Sequence, residues 1–262
     1  MSRFAIIMPA AGKSSRFGDP KRKKVFAELA GRAVWLRSAE LFVNRSDVGR
    51  IVVLIDPEDR EMFERRYSAN AAFFGIRVVD GGKERVDSVA NGLAALGADC
   101  DCDFVAIHDA ARPCLTPDRI DAVFQAAIKH GAAALGTRLA DTIKRSDDHQ
   151  RIVETVLRDQ LWAIQTPQAF RRDWLERAFA ERHRIAGPIT DDLRLVEALG
   201  ETCVIVEGSR WNLKITNRDD LELAAAILHA MPKPKAEGPA HPFADDPAPW
   251  RDGPKPKLED LF

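Results

Sequence analysis

Three short stretches of this 262-residue chain combine residue types suited to handling phosphate. The first, PAAGKSSRFG at 9–18, follows the apolar run FAIIM. Beside Pro9, the residues Ala10, Ala11 and Gly12 carry almost no side chain. A ligand could therefore lie against their backbone N–H groups while Arg16 reaches its phosphates; a flexible surface loop is the plain alternative. The second is the basic run KRKK at 21–24, from which another cation could join Arg16 on a triphosphate. For three of these four residues a solvated charge run is the ordinary reading. The third, HDAARP, sets Asp109 directly behind an apolar run, where a carboxylate can hold Mg2+ that bridges phosphate oxygens. A helix-capping aspartate would look the same. His108 is read as a partly buried strand-end histidine without a role, because magnesium prefers oxygen donors. Alone, the small-residue loop says little, since it has neither the GxxxxGK[ST] nor the GxGxxG pattern.

These residues need a scaffold, and the hydrophobic pattern supplies one. Short β-rich apolar runs recur at 4–8, 51–55, 76–79 and 104–107, with others near 132–135 and at 203–206. Helical spacing fills 33–43, 57–67, 84–96, 117–130 and 191–199, with Pro57 and Pro117 suited to first-turn positions. Alternating strands and helices imply an α/β fold with a mostly parallel sheet covered on both faces. Ligands bind such sheets outside the carboxyl ends of the strands, which is where PAAGKSSRFG, DGGKERVDS and HDAARP fall. Residues 141–156, DTIKRSDDHQRIVETV, read instead as two alternating stretches around a polar turn, a protruding β-hairpin arm. An extended arm needs another surface to cover it, so a dimer contact is expected.

Composition narrows the partners. A net charge of −1 offers no basic excess for nucleic acid, and no apolar run approaches a membrane span. The start MSRFAIIMPAAG is too soon interrupted for a signal peptide. Four cysteines without CxxC spacing fit a reducing cytoplasm, and the lone pair Cys100 and Cys102 is read as a loop in preference to a metal site. From residue 231 more than half of the 15 prolines crowd into a stretch with no helical or strand period. The expected organisation is therefore one domain over 1–230 and a Pro-rich, disordered tail over 231–262.

Over residues 4–228 the ordered set PAAGKSSRFG, DGGKERVDSV, HDAARP, DTIK, TPQAF, TDD and VEGSRWNLKIT resembles the 2-C-methyl-D-erythritol 4-phosphate cytidylyltransferase family of non-mevalonate isoprenoid synthesis. The resemblance implies a Rossmann-like nucleotidyltransferase fold and transfer of CMP from CTP to that sugar phosphate, with pyrophosphate released and Mg2+ as cofactor. It also implies an arm that crosses to a partner subunit in a homodimer. Pro9, Ala10, Ala11 and Gly12 would then line the nucleotide, with Arg16 and Lys24 as the cations on the triphosphate. Aligning on Phe26 selects Lys24; aligning on Pro20 would select Lys21. Gly81, Gly82, Lys83 and Ser88 match the cytosine-contacting run, although Lys83 stands where the family often has aspartate. That change is harmless if the position works through its backbone and unsettles base selectivity if it works through a carboxylate. Thr142, Arg158, Thr166, Thr190, Asp191 and Lys214 match positions that hold the sugar phosphate, Arg158 and Lys214 being the cations that orient it. Two rivals stand beside this reading. One is a cytidylyltransferase for ribitol 5-phosphate or another polyol phosphate; the other is a catalytically silent nucleotide-binding scaffold that presents its tail to a partner.

Overall fold

The structure, a computed structural model, describes residues 2–18 and 23–232, apart from the side chain of Arg16. The described fold forms one compact unit that ends at His229. Most of the expected tail, residues 233–262, lies outside the described residues. In chain order the strands are β1 (Phe4–Pro9), β2 (Glu28–Leu29), β3 (Arg32–Ala33), β4 (Val48–Ile55), β5 (Ile76–Asp80), β6 (Phe104–Ile107), β7 (Ala132–Arg138), β8 (Ile143–Ser146), β9 (Ile152–Val156), β10 (Trp162–Arg171) and β11 (Cys203–Glu207). The helices are α1 (Val34–Val43), α2 (Arg60–Phe73), α3 (Arg85–Leu96), α4 (Pro117–His130), α5 (Arg172–Ala180), α6 (Leu193–Glu197) and α7 (Arg218–Ala230).

Seven strands form one sheet in the order β11-β7-β10-β6-β1-β4-β5. All run parallel except β10, which is antiparallel to both β6 and β7. Because side chains alternate along a strand, the register decides what each face buries. Ala5 lies opposite Val105, and Ile7 opposite Val52 and Ile107. This face packs on Val89, Leu93 and Leu96 of α3, Leu175 and Ala178 of α5, and Leu195 and Val196 of α6. The intervening residues point the other way: Phe4 stacks on Phe124 of α4 at 3.7 Å between ring centroids, and Phe42 of α1 meets the edge of His108 at 5.2 Å. Helices thus cover both faces, as the alternating pattern requires.

The expected elements shift only at their ends. Pro57 opens a short 3-10 turn before α2, and Pro117 occupies the first turn of α4, where a missing N–H costs nothing. The expected helix over 191–199 contracts to the five residues of α6. Five of these strands and helices were not expected at all: the short pair β2 and β3, and β10, α5 and α7. The arm is an antiparallel hairpin of β8 and β9 in which Ile143 faces Val156 and Lys144 faces Thr155. Among the described residues, no helix is long and apolar enough to cross a membrane.

Candidate active site

At the carboxyl ends of β1, β4, β5 and β6 a cavity of about 1030 Å3 opens, lined by the loops that leave those strands. Pro9, Ala10, Ala11 and Gly12 form one wall; Gly81, Gly82, Lys83 and Ser88 form the wall beside it. The two loops touch. A Cβ on Gly81 would lie 2.5 Å from the Ala11 Cβ, so only glycine lets the loops close together, while one on Gly82 would lie 2.4 Å from the Asp87 Cβ of its own segment. Not every backbone amide of this lining faces a ligand. The Ala10 N–H donates to Leu54 O at 2.8 Å, Gly81 N–H to Ile55 O at 2.7 Å, and Gly82 N–H to Ser88 Oγ at 3.0 Å. Ser88 in turn donates to Glu84 O at 3.0 Å and is buried, so its hydroxyl braces the loop. Among the described residues, the amides of Ala11 and Gly12 have no internal acceptor.

The basic run divides. Lys23 and Lys24 both line the cavity. Lys23 is not the solvated charge the sequence suggested: its Nζ lies 2.8 Å from Asp56 and 2.9 Å from Asp59, with the side chain 19% exposed. Lys24 begins a short 3-10 turn whose next residues, Val25 and Phe26, are buried. Its N–H donates to Ser14 Oγ at 3.2 Å, tying the turn back to the first loop. Lys21 and the side chain of Arg16 lie outside the described residues.

Behind β6, Asp109 is the hub of the site. Its carboxylate, 9% exposed, lies 2.8 Å from Lys214 Nζ, 3.5 Å from Arg85 Nε and 3.6 Å from Arg112 Nε. Burial alone would raise its pKa, but the three cations hold it well below the usual carboxylate range. Arg85 also pairs with the fully buried Asp192 at 2.7 Å. Burial pushes the Asp192 carboxyl upward against that pairing. His108 is fully buried, and desolvation lowers its pKa to about 4. Its Nε2 lies 3.0 Å from the Arg112 carbonyl, so that nitrogen carries the proton, and Nδ1 accepts from the Thr166 hydroxyl at 3.3 Å. The same hydroxyl accepts from Asp109 N–H at 3.0 Å. Thr166 therefore braces Asp109, its only proton committed inward.

Lys214 reaches the hub because its neighbours are nailed down. Asn212, buried, donates to Thr166 O at 2.9 Å, and Ile215 N–H donates to Ala111 O at 2.9 Å. Arg112 donates to Asn212 O at 2.6 Å, so the loop carrying Lys214 is stitched to the loop carrying Asp109.

Five expected acceptor residues do not line this cavity: Thr166 is buried behind Asp109, and four others lie farther out. Thr142 and Arg158 flank the exposed arm, and the Arg158 guanidinium donates to the Ala140 carbonyl. Thr190 is exposed ahead of α6, and Asp191 caps that helix by accepting from Arg194 N–H at 3.2 Å. Arg85, Arg112 and Asp192 escaped the sequence reading. One signal was available: Arg85 is the first residue of α3, where a cation opposes the helix dipole and needs carboxylates from elsewhere.

Magnesium keeps several waters and needs only one or two carboxylates beside bound phosphates. An ionised Asp109 on the cavity wall fits that demand. No group of three or more His, Cys, Asp or Glu among the described residues could hold a metal by itself. Cys100 and Cys102 are free and buried in the core.

A family model described as 2-C-methyl-D-erythritol 4-phosphate cytidylyltransferase matches residues 4–230. The protein of that name from Bacillus pumilus is 39% identical over 230 residues, covering 87% of this chain and 97% of the relative. The chloroplastic protein of Oryza sativa is 36% identical over 225 residues, covering 86% and 74%. The crystal structure of the Francisella tularensis 2-C-methyl-D-erythritol 4-phosphate cytidylyltransferase superposes with a TM-score of 0.73 at 29% identity, covering 86% of this chain and all of that one.

Proposed function

The chain belongs to the 2-C-methyl-D-erythritol 4-phosphate cytidylyltransferase family, and from that premise we propose how its residues divide the work. The reaction is CTP plus 2-C-methyl-D-erythritol 4-phosphate giving 4-diphosphocytidyl-2-C-methyl-D-erythritol and pyrophosphate. A phosphate oxygen of the acceptor attacks the α-phosphorus in line, the bond to the β-phosphate oxygen breaks, and pyrophosphate carries the electron pair away. The nucleophile arrives as an anion, so no general base is needed. Buried and neutral, His108 supplies none. Positioning and charge neutralisation remain, and the cavity's cations suit both tasks.

CTP lies along the two small-residue walls, with the base toward Gly81, Gly82, Lys83 and Ser88 and the triphosphate toward Ala11, Gly12, Arg16 and Lys24. Gly81 packs closely on Ala11 and Ser88, which brings the two walls together. Asp109 would hold Mg2+, which when bound adds positive charge on the phosphate oxygens. Lys214, kept in place by Asp109, orients the acceptor phosphate. Thr166 supports that arrangement from behind, and Thr190 and Asp191 border the acceptor side.

Thr142 and Arg158 are assigned to a neighbouring subunit's cavity, reached by the arm in a homodimer. Support comes from the arm's exposed apolar side chains, Ile152, Val153 and Leu157. The four free cysteines are consistent with a cytoplasmic enzyme. The observation that carries the reading is the ionised Asp109 bound to Lys214 at the strand ends, beside a glycine-lined cavity. Pyrophosphate release from CTP, measured with and without 2-C-methyl-D-erythritol 4-phosphate, tests it. Release should require that acceptor and fall sharply with UTP; release without it, or equal kcat/KM for UTP, would refute the assignment.

A further inference from the structure

Lys23 sits beside the lysine assigned to the triphosphate, yet its charge points away from any such task. Its Nζ is shared between Asp56, which caps the 3-10 turn Pro57–Asp59, and Asp59, the last residue of that turn, just after β4. Burial alone would lower its pKa, but hydrogen bonds to and charges on both aspartates raise it overall, and Lys23 holds Asp56 below its usual range. Asp56 itself is fixed, accepting from Glu58 N–H at 3.1 Å. The contact thus fastens a loop to a sheet strand's rigid end. On the chain side, Lys23 immediately precedes the turn Lys24–Phe26, with φ −67° and ψ 144°. Its carbonyl accepts from Phe26 N–H at 3.0 Å, closing that turn. Val25 and Phe26 anchor the other end in the core, so Lys24 is held between an ion-paired residue and a buried pair.

We propose that Lys23 is a positioning residue: its ion pairs with Asp56 and Asp59 latch the nucleotide loop to the end of β4 and fix the backbone from which Lys24 reaches the triphosphate. The proposal rests on the assignment of Lys24. It separates cleanly from a second possibility, that Lys23 is itself a phosphate cation. A latch acts through backbone geometry, and geometry can be supplied by other means. The φ of −67° is the angle a proline ring imposes, and the Lys23 N–H donates no hydrogen bond among the described residues. Proline should therefore replace the latch, although it carries no charge.

The test compares Lys23→Met, Lys23→Pro, Asp56→Asn and the double variant K23M/D56N in steady-state cytidylyl transfer, with circular dichroism and thermal unfolding to verify folding. Lys23→Met should lower kcat about tenfold with little change in the KM for CTP, since misplacing a group that acts in the transition state costs rate more than ground-state binding. Lys23→Pro should recover kcat to within about threefold of the parent. K23M/D56N should lose no more than Lys23→Met alone, because both substitutions break one contact. A raised KM for CTP in both Met and Pro variants would overturn the latch in favour of a phosphate cation. Multiplying losses in the double variant, or an unaffected Lys23→Met enzyme, would overturn it too. If Lys23→Met is unstable, Asp56→Asn with Lys23→Pro still decides, because a proline latch no longer needs the aspartate and the added substitution should cost nothing. Lys24→Ala distinguishes the failures: mild loss there removes the underlying assignment, whereas severe loss there with a harmless Lys23→Met removes only the latch.

Discussion

Asp109 meets Lys214, Arg85 and Arg112 within 3.6 Å; hydrogen bonds tie the Lys214 loop to the loop of Asp109 and Arg112, and Asp192 holds Arg85. Arg158 has nothing comparable. Its side chain is exposed, it donates to the Ala140 carbonyl at the base of the arm, and nearby Ile152, Val153 and Leu157 are 68%, 64% and 82% exposed. The nucleotide end of the sheet is a preorganised site, in which the cost of gathering like charges was met during folding. The arm is two strands and a polar turn, too small a unit to be stable on its own, and awaits a surface. One region is held together within a single chain; the other leaves apolar side chains exposed, in keeping with the proposed association.

The sharpest way to break this comparison is to remove a charge from the complete region. Lys24→Ala should lower kcat about 10²-fold, the usual cost of losing one charge-stabilising donor, in an enzyme that still folds. Lys21→Ala should be mild by the same assay, and the reverse order would move the catalytic lysine. At the arm the effect should be smaller and of another kind. Arg158→Ala should raise the KM for the sugar phosphate about tenfold while leaving the KM for CTP unchanged, because it removes binding that is uniform along the reaction. Specific activity should also fall on dilution, in step with the mass read by light scattering. A fully active monomer would show that the arm, too, is complete within one chain. The smallest effect is expected from the tail: a chain ending after Met231 should keep kcat/KM within about twofold, since among the described residues every side chain lining the cavity precedes it. A larger loss would add the tail to the site.

Much of the fold was legible because its strands are continuous apolar runs separated by strong helical periods. The arm stood out for the opposite reason, alternation in a polar context. β10 was hidden by its own composition: Gln165, Pro167 and Gln168 break the apolar pattern, yet Gln165 and Gln168 are buried because loops bring partners to them. Leu193 N–H and Asp192 N–H both find the Gln168 side chain, a pairing that no local pattern contains. The site divides in the same way. Small residues and glycines at strand ends could be read locally, whereas Arg85 and Asp192 take their meaning from each other across distant parts of the chain. Lys214 was singled out by resemblance alone, and its tie to Asp109 supplies the physical reason.

The antiparallel strand has a consequence for synthesis on the ribosome. β1, β4, β5 and β6 pair among themselves, so the first part of the sheet can assemble as it emerges. β7 cannot join them, because β10, which lies between β6 and β7 in the sheet, is made only after the whole arm. A nascent chain that stops within the arm therefore presents two unfinished strand edges, β6 and β7, to its surroundings at once. The interval needed to translate the arm is the window in which chaperone contact matters most, and a pause placed there by slow codons would lower the yield of soluble enzyme without altering a single residue of the finished protein.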